Sequence, residues 1–564
     1  MESQVDILMS CIPANGEDHP HMNATTRNAG NKPLISVVIP THNRAASLAR
    51  ALDSVLALKD EAPCEIVVVD NNSTDDTAQT VAGYISRFGG ILRRVSEPRT
   101  AFTRARRTGA EAAAGALLLY IDDDVLLHAG TLRAVADAFA AHPECGLIAG
   151  QIVPEYVEPP PAWTMACQAE FNGWSLYYPG NVPALARGFQ RVGFAAGPLM
   201  AIRRAAYDAV RGFPPDTVGV ETNQGGKAFR KLYIGPGDGG FSRKLTKAGI
   251  AIYYAPRVAC RHVIPPLRCT VGFWRSRMIG EGHYHAIDAR GSAHISPAQA
   301  TLERRRREVR YLLARTRLAR GLAASIDSNP VGMSPDEMWA LHHAAYLAMD
   351  RVLISHPDLW AFLWELGLNG VEDRQFDEVV RRLPEDYMAL VETATVANVS
   401  PLTMADLDQL DEKLLCGALP GYLQTREIIN ALLEAMPSTE AGEAFLNVLL
   451  QDEHIEAATR VLRLVATRTS VPEHAEEWIA CMEQDHGHPR TPRGRREGLP
   501  VVDTGRALRR EYQRFSRWRR ALAVGRALGQ PARRAIEPIW SRLPPEQRLR
   551  TKLLIRRWVD KAGF

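Results

Sequence analysis

LLLYIDDDV, residues Leu117–Val125, is the stretch that decides the fold of this chain. The apolar residues predict a buried strand over Ala116–Ile121, and the aspartates begin where that strand leaves its sheet. In an open α/β sheet, ligands bind outside the carboxyl ends of the strands, and adjacent carboxylates there repel one another unless a cation or a set of donors offsets their charge. The stretch therefore predicts a site for a divalent metal that carries phosphates, because Mg²⁺ and Mn²⁺ prefer oxygen ligands. The alternative is an acidic cluster that only begins the next helix.

Two apolar runs upstream end in the same kind of polar turn. PLISVVIPTHNR (Pro33–Arg44) predicts a strand that a helical pattern follows, and EIVVVDNNSTDDT (Glu65–Thr77) repeats this design. Strands that alternate with helices pair in parallel through right-handed crossovers, so their ends collect on one edge of the sheet. Thr41, Asp70 and Asp122–Asp124 are therefore expected to share one crevice.

The remaining elements of this half complete an α/β pattern. A weaker strand is predicted over Ile91–Ser96 and an Ala- and Arg-rich helix over Thr100–Gly115. No GxGxxG turn follows the first strand and no GxxxxGK[ST] motif occurs, so the sequence gives no support to a dinucleotide-binding or P-loop protein.

In this order and spacing, SVVIPTHNR, VVVDNNSTDDT and YIDDDV resemble the nucleotide-sugar-binding half of a family 2 glycosyltransferase with a GT-A fold. The resemblance continues through GPLMAIRRAAYDAVRGF (Gly197–Phe213) and GPGDGGFSRKLTKAGIAIYYAPRVACRH (Gly235–His262), and it covers roughly residues 34–286. It implies a Rossmann-like, mostly parallel sheet domain. It also implies an inverting enzyme that uses Mn²⁺ or Mg²⁺ and moves a sugar from a nucleotide-diphosphate sugar to an acceptor hydroxyl.

The resemblance assigns several residues to the nucleotide-sugar donor. Asp70 matches the carboxylate that contacts the base or ribose, and helix capping is its alternative role. Thr41 and Arg44 lie on the first turn, where they could meet the base or the diphosphate. Asp122 and Asp123 are expected to bind the nucleotide sugar, with Asp122 near ribose or sugar hydroxyls.

Metal binding is implied for two residues. Asp124 matches the metal-binding member of the acidic run, and His262 aligns with a histidine that completes the metal site in many relatives. A structural role is the alternative for His262. Arg106 is expected to add a contact to the donor diphosphate, and a solvated basic helix face is the alternative there.

Asp238 is the candidate general base, which would remove the proton of the acceptor hydroxyl in a single displacement. Its alternative role is that of an acidic residue in a first helical turn, where the helix dipole favours it. Two positions depart from the family pattern: Gly237 stands where glutamate is usual, and Arg107 stands where asparagine is common. They leave open a catalytically degenerate nucleotide-sugar-binding or scaffold protein.

The segment Pro154–Val192 is rich in proline, glycine and aromatic residues, as irregular insertions are. Its aromatic side chains could stack on sugar faces or could pin down a long loop. These side chains are Trp163, Trp174, Tyr177 and Tyr178.

Two further stretches follow the insertion. Asp216–Tyr233 is Gly-rich, and such a segment could act as a lid on the acceptor side. Arg275, Arg277, His283 and His285 are expected at an interface or on the surface rather than as ligands.

A chain of 564 residues should hold more than one domain. We expect a flexible leader over residues 1–32, the GT-A domain over 33–295, a helical domain over 296–489 and a basic tail over 490–564. The eight cysteines show no CxxC pair, which favours reduced thiols and a cytoplasmic setting. No signal peptide and no transmembrane run are predicted.

Residues 490–564 carry 21 Lys and Arg against 6 Asp and Glu. Their aromatic residues interleave with arginines at helical spacing, as in helices that bind anionic membranes. We therefore expect peripheral contact with the cytoplasmic face of a membrane, and no nucleic acid partner, because no nucleic-acid-binding module accompanies the charge. Docking onto the chain's own acidic part is the alternative. A lipid-linked saccharide, a polysaccharide or a protein remains possible as the acceptor.

Overall fold

The computed structural model describes residues 34–220, 230–291, 304, 306–315, 317–318, 332–395, 428 and 479–480. The strands are β1 (Ile35–Thr41), β2 (Cys64–Asp70), β3 (Leu92–Ser96), β4 (Arg99–Thr100), β5 (Leu117–Ile121), β6 (Val125–Leu127), β7 (Cys145–Tyr156), β8 (Gln190–Val192), β9 (Leu199–Arg203), β10 (Thr217–Val220), β11 (Arg230–Tyr233), β12 (Ala251–Ile264) and β13 (Val371–Glu372). The α-helices are α1 (Ala45–Leu56), α2 (Thr77–Ile85), α3 (Phe102–Ala112), α4 (Thr131–Ala141), α5 (Ala162–Glu170), α6 (Arg204–Ala209), α7 (Gly237–Lys247), α8 (Val271–Gly291), α9 (Pro335–Ser355), α10 (Leu359–Asn369), α11 (Asp373–Arg381) and α12 (Glu385–Thr395). Short 3₁₀ helices span Pro183–Arg187 and Pro266–Cys269.

The main sheet has the strand order β3-β2-β1-β5-β9-β7-β12-β6, and β8 also pairs with β12. Strands β1, β2, β3, β5, β7 and β12 run in one direction, whereas β6, β8 and β9 run in the other. The predicted α/β fold with a mostly parallel sheet is confirmed. Strand β9 lies antiparallel between β5 and β7, so the parallel pairing of the sheet is interrupted at that point.

The predicted strands form close to their expected bounds. All residues of β1 and β5 are buried, as expected for strands that are covered on both faces. The weaker prediction at Ile91–Ser96 corresponds to β3 at the edge of the sheet, where Leu92 is buried and half-buried residues alternate with the exposed Arg94 and Ser96. The strand, helix and GF turn expected over Gly197–Phe213 are also present, and Gly212 takes the positive φ of 69° that the turn requires.

Helix α9 packs against α8 and is buried around most of its circumference. It begins with a proline at its first position and with Ser334 at its N-cap, whose hydroxyl accepts a hydrogen bond from the backbone N–H of Glu337 over 3.1 Å. Arg275 and His283 on α8 are buried, so neither lies on the surface of the described structure. Arg275 pairs with the Glu337 carboxylate at 2.7 Å.

The chain divides into two compact units. One contains residues 1–295 and 310–419, and the other contains residues 296–309 and 420–564. Within the first unit, β13 pairs with β4, which links the helical segment directly to the α/β half. The predicted domain boundaries stay predictions, and residues 1–32 and 490–564 lie outside the described residues.

Among the described residues, every helix is too short or too polar to cross a lipid bilayer.

Candidate active site

The carboxyl ends of β1, β2 and β5 meet at one edge of the sheet, as predicted. Thr41 pairs in register with Asp70, and the Thr41 hydroxyl donates to Asp123 Oδ2 over 2.7 Å. Arg44 Nη1 donates to Asp123 Oδ1 at 3.0 Å and to Asp124 Oδ2 at 2.9 Å. The first turn and the acidic run therefore form one hydrogen-bonded cluster.

Asp70 is buried at the end of β2 and accepts two hydrogen bonds. One comes from the backbone N–H of Ser73 over 3.0 Å and the other from Arg94 Nη1 over 2.7 Å. The backbone N–H of Thr77, at the start of α2, donates instead to Asp75. Asp70 therefore shapes the turn after β2 and does not cap the following helix.

Asp123 points back toward the β1 turn, and both of its oxygens accept hydrogen bonds from Thr41 and Arg44. Burial and the charge of Asp124 raise the pKa of Asp123 to about 7, against the opposing charge of Arg44. This geometry favours a role in holding the turn over the predicted direct contact with the donor.

Asp124 and His262 form the predicted metal pair. Asp124 Oδ1 lies 3.3 Å from His262 Nε2, and β12 pairs with β6 so that His262 stands opposite Val125. Burial raises the pKa of the Asp124 carboxyl, but the guanidinium groups of Arg268 and Arg44 beside it outweigh burial and hold that pKa well below its usual range.

The Asp124 and His262 side chains fit a divalent cation. Asp124 Oδ1 is buried and accepts no hydrogen bond from the described residues. Two ligands at about 2.1 Å from one cation, at a right angle, lie about 3 Å apart, close to the observed separation. No group of three or more metal-type side chains is present in the described parts of the chain, so donor phosphates and water would complete the coordination.

Arg106 on α3 joins Asp122 to the candidate base. The side chain is 2% exposed, and Nη1 donates to Asp238 Oδ1 over 2.5 Å. Nη2 lies 3.5 Å from Asp122 Oδ1 and donates to the carbonyl oxygen of Gly197 at 3.3 Å. The geometry favours positioning of Asp122 and Asp238 over the predicted contact of Arg106 with the donor diphosphate.

Two residues of this site were missed from the sequence, and one is Asp216. Gly237 has φ = +44°, and a Cβ built there would lie 2.6 Å from Asp216 Oδ2. The Asp216 carboxylate thus occupies the space of the side chain that is missing at position 237. Its charge raises the pKa of Arg106, together with the nearer Asp238 and Asp122 and against burial. In the sequence, only the glycine at position 237, where glutamate is usual, indicates this arrangement.

Arg268 is the second missed residue. It lies on the 3₁₀ turn after β12, and Nη2 donates to Asp124 Oδ2 over 2.8 Å. Its Nη1 lies 2.8 Å from His262 Nε2. No motif marks this arginine, because it reaches Asp124 across 144 positions of sequence.

Two of the four aromatic side chains named in the Pro154–Val192 insertion are buried, whereas Trp163 and Tyr178 are half-buried. Trp174 and Tyr177 are 1% and 2% exposed, so they pin the segment to the core. Tyr178 instead lines an open cavity of about 360 Å³ together with Tyr156. The proposed lid segment contains the hairpin β10–β11, and its residues 221–229 lie outside the described residues.

Comparison with known proteins finds a matching family model over the part of the chain that carries the donor edge of this site. Residues 36–211 match the family model described as glycosyl transferase family 2. A stretch of 142 residues is 34% identical to validoxylamine A glucosyltransferase of Streptomyces hygroscopicus subsp. limoneus, covering 24% of this chain and 30% of that protein. A stretch of 122 residues is 33% identical to a PGL/p-HBAD biosynthesis glycosyltransferase of Mycobacterium bovis, covering 22% of this chain and 47% of that protein. The chain thus spans less than half the length of these relatives.

Solved structures show weaker likeness. The mannosyltransferase PcManGT from Pyrobaculum calidifontis, in complex with GDP-Man and Mn²⁺, is 19% identical with a TM-score of 0.31, over 71% of this chain and 87% of that chain. GalNAc-T7 with UDP, GalNAc and Mn²⁺ is 18% identical with a TM-score of 0.32, over 48% of this chain and 52% of that chain.

Proposed function

Because residues 36–211 match the glycosyl transferase family 2 model, we propose that the protein moves a sugar from a nucleotide-diphosphate sugar to an acceptor hydroxyl, with inversion and with a divalent metal. The observation that carries this proposal is the arrangement of Asp124, His262 and Asp238 on one side of the sheet. Asp124 and His262 fit a cation, and Arg106 holds Asp238 next to Asp122.

The donor would lie along the carboxyl ends of β1, β2 and β5. Asp70, buried at the end of β2, would contact the nucleoside, and the half-exposed Arg44 would offer positive charge to a diphosphate. Asp122 has one buried oxygen that accepts no hydrogen bond from the described residues, and it could accept from a sugar or ribose hydroxyl.

A cation on Asp124 and His262 would supply Lewis-acid stabilisation to the departing nucleoside diphosphate. Mn²⁺ and Mg²⁺ both suit a carboxylate whose coordination is completed by phosphate and water oxygens. Against burial, the guanidinium groups of Arg268 and Arg44 hold the pKa of Asp124 low, so Asp124 stays ionised at neutral pH. The protein can therefore present a charged ligand to the metal at physiological pH.

Asp238 would act as the general base. The acceptor hydroxyl gives its proton to this carboxylate, the acceptor oxygen bonds to the anomeric carbon, and the bond from that carbon to the diphosphate oxygen breaks. The Asp238 side chain is 25% exposed, so an acceptor can reach it, while the buried Arg106 fixes its orientation. This single displacement inverts the configuration at the anomeric carbon.

The acceptor is proposed by class only: a lipid-linked saccharide, a polysaccharide or a protein. The basic segment 490–564 would bring the enzyme to the cytoplasmic face of an anionic membrane. Removal of this segment should abolish binding to phosphatidylserine vesicles, and retained binding would contradict this role.

Calorimetric titration with UDP-, GDP- and dTDP-sugars, in Mn²⁺ and in EDTA, tests the proposal. We expect one donor to bind in Mn²⁺ and to lose affinity in EDTA. Asp124→Asn should remove this metal dependence, whereas Asp137→Asn should not, since Asp137 is an exposed aspartate on α4. A folded protein that binds no donor would contradict the proposal and favour a degenerate scaffold protein.

A further inference from the structure

Arg268 hydrogen-bonds to both side chains of the proposed metal pair at once. Its Nη2 donates to Asp124 Oδ2 and its Nη1 donates to His262 Nε2, each over 2.8 Å. A guanidinium has no acceptor atom, so Nε2 must be the acceptor and its lone pair is used. While these hydrogen bonds last, His262 has no lone pair on Nε2 to give to a cation.

The backbone of Arg268 is anchored, while its side chain has room to move. The backbone N–H donates to the carbonyl oxygen of Pro265 over 2.9 Å. The carbonyl oxygen accepts from Nε1 of the buried Trp174 over 3.1 Å. The side chain itself is 21% exposed. The guanidinium can therefore leave Asp124 by rotation of its side chain, without rearrangement of the turn.

Arg268 differs in this respect from Arg44, the other arginine on Asp124. Arg44 Nη1 donates to Asp124 Oδ2 at 2.9 Å and also to Asp123 Oδ1 at 3.0 Å, so it spans two neighbouring carboxylates. Arg44 therefore neutralises the acidic run from the β1 side. Arg268 instead bridges the carboxylate and the imidazole that would bind one cation.

We propose that Arg268 competes with the divalent metal for Asp124 and His262, and that binding of the donor diphosphate relieves this competition. The inference rests on the metal site of the proposed function. Like charges repel on one carboxylate, so cation and guanidinium exclude each other. A diphosphate offers the guanidinium a bidentate partner in exchange. Metal and nucleotide should therefore strengthen each other's binding by the same factor.

The first test measures Mn²⁺ binding to the full chain without nucleotide, with the free ion detected by electron paramagnetic resonance. Arg268→Gln should bind Mn²⁺ about tenfold more tightly than the wild type, because a charge-assisted competitor is removed. Arg261→Gln is the matched control: it removes an equal charge one residue from His262, but Arg261 pairs with Glu155 at 2.6 Å. Its Mn²⁺ affinity should stay within twofold of the wild type. Arg268→Lys, which cannot bridge both ligands, should lie between the wild type and Arg268→Gln.

The second test repeats the titration with UDP and with GDP. The factor by which nucleotide increases the affinity for Mn²⁺ should be large in the wild type and several-fold smaller in Arg268→Gln. Unchanged or weaker Mn²⁺ binding in Arg268→Gln, with the circular dichroism of the wild type, would overturn the proposal. Tighter Mn²⁺ binding without any affinity for nucleotide sugars would instead support the competition and reject the glycosyltransferase activity.

Discussion

A methyl group added at Gly237 should lower the free energy of unfolding. Its φ of +44° lies in the left-handed region, which costs an L-residue about 1–2 kcal/mol. A Cβ would lie 2.6 Å from Asp216 Oδ2 and 3.0 Å from its Cγ, so this carboxylate must move and lose its place beside Arg106. Together these terms predict that Gly237→Ala lowers the free energy of unfolding by about 2–3 kcal/mol. Urea unfolding of the full chain, monitored by tryptophan fluorescence, measures this change.

Gly239, in the same helix, is the matched control. A Cβ there would approach only Arg243 Nη1 at 3.5 Å, so Gly239→Ala should be neutral or should stabilise the protein by up to about 1 kcal/mol. Asp216→Ala combined with Gly237→Ala should recover the part of the lost free energy of unfolding that comes from the contact with the carboxylate. The part that comes from the positive φ at position 237 should remain. If Gly237→Ala is as stable as the wild type, or if the double variant recovers nothing, Asp216 does not occupy the space beside Gly237.

Three further predictions concern a buried histidine and the two sides of the site. Burial lowers the pKa of His283 to about 4, so its contribution to stability is present above pH 6.5 and is lost as the pH falls toward 4. Between pH 7 and pH 4.5 the free energy of unfolding should fall by roughly 2–3 kcal/mol because of this histidine. In His283→Asn, the free energy of unfolding measured in urea should depend less on pH. An unchanged pH dependence would contradict this prediction. Asp238→Asn should spare donor binding in calorimetry and remove transfer, and full turnover would show that another residue is the base. Asp124→Asn should abolish metal-dependent donor binding, whereas His262→Ala should weaken Mn²⁺ affinity less severely; equal affinity in wild type and His262→Ala would assign this histidine a structural role.

The donor edge of the fold was predictable because its determinants are local. Each parallel strand is an apolar run that stops at a polar turn, and right-handed crossovers bring such ends together whatever the protein. Thr41 and Asp70 were therefore expected side by side, and they are paired in register. The same reasoning could not say which oxygen of Asp123 meets which donor, since that depends on the path of the first turn.

The residues that were missed reach the site through tertiary contacts. Arg268 lies in a turn whose own sequence carries no signal, and Asp216 fills a gap that belongs to a helix formed later in the chain. The irregular insertion has no period, so the sequence could not separate the buried Trp174 from Tyr178 at the cavity. Local sequence patterns thus predicted which strand ends form the site, but not the charged residues that surround its carboxylates.

The distribution of those balancing charges bears on how the site would work. On the acceptor side, the guanidinium of Arg106 is buried and cannot leave Asp238 without the cost of an unpaired buried charge. On the donor side, Arg44 and Arg268 are 47% and 21% exposed, so their guanidinium groups can reach water or a ligand when they leave Asp124. A diphosphate that enters the crevice can therefore attract only the donor-side arginines. The carboxylate that would receive the proton stays fixed, while the carboxylate that would bind the metal is released when the donor arrives.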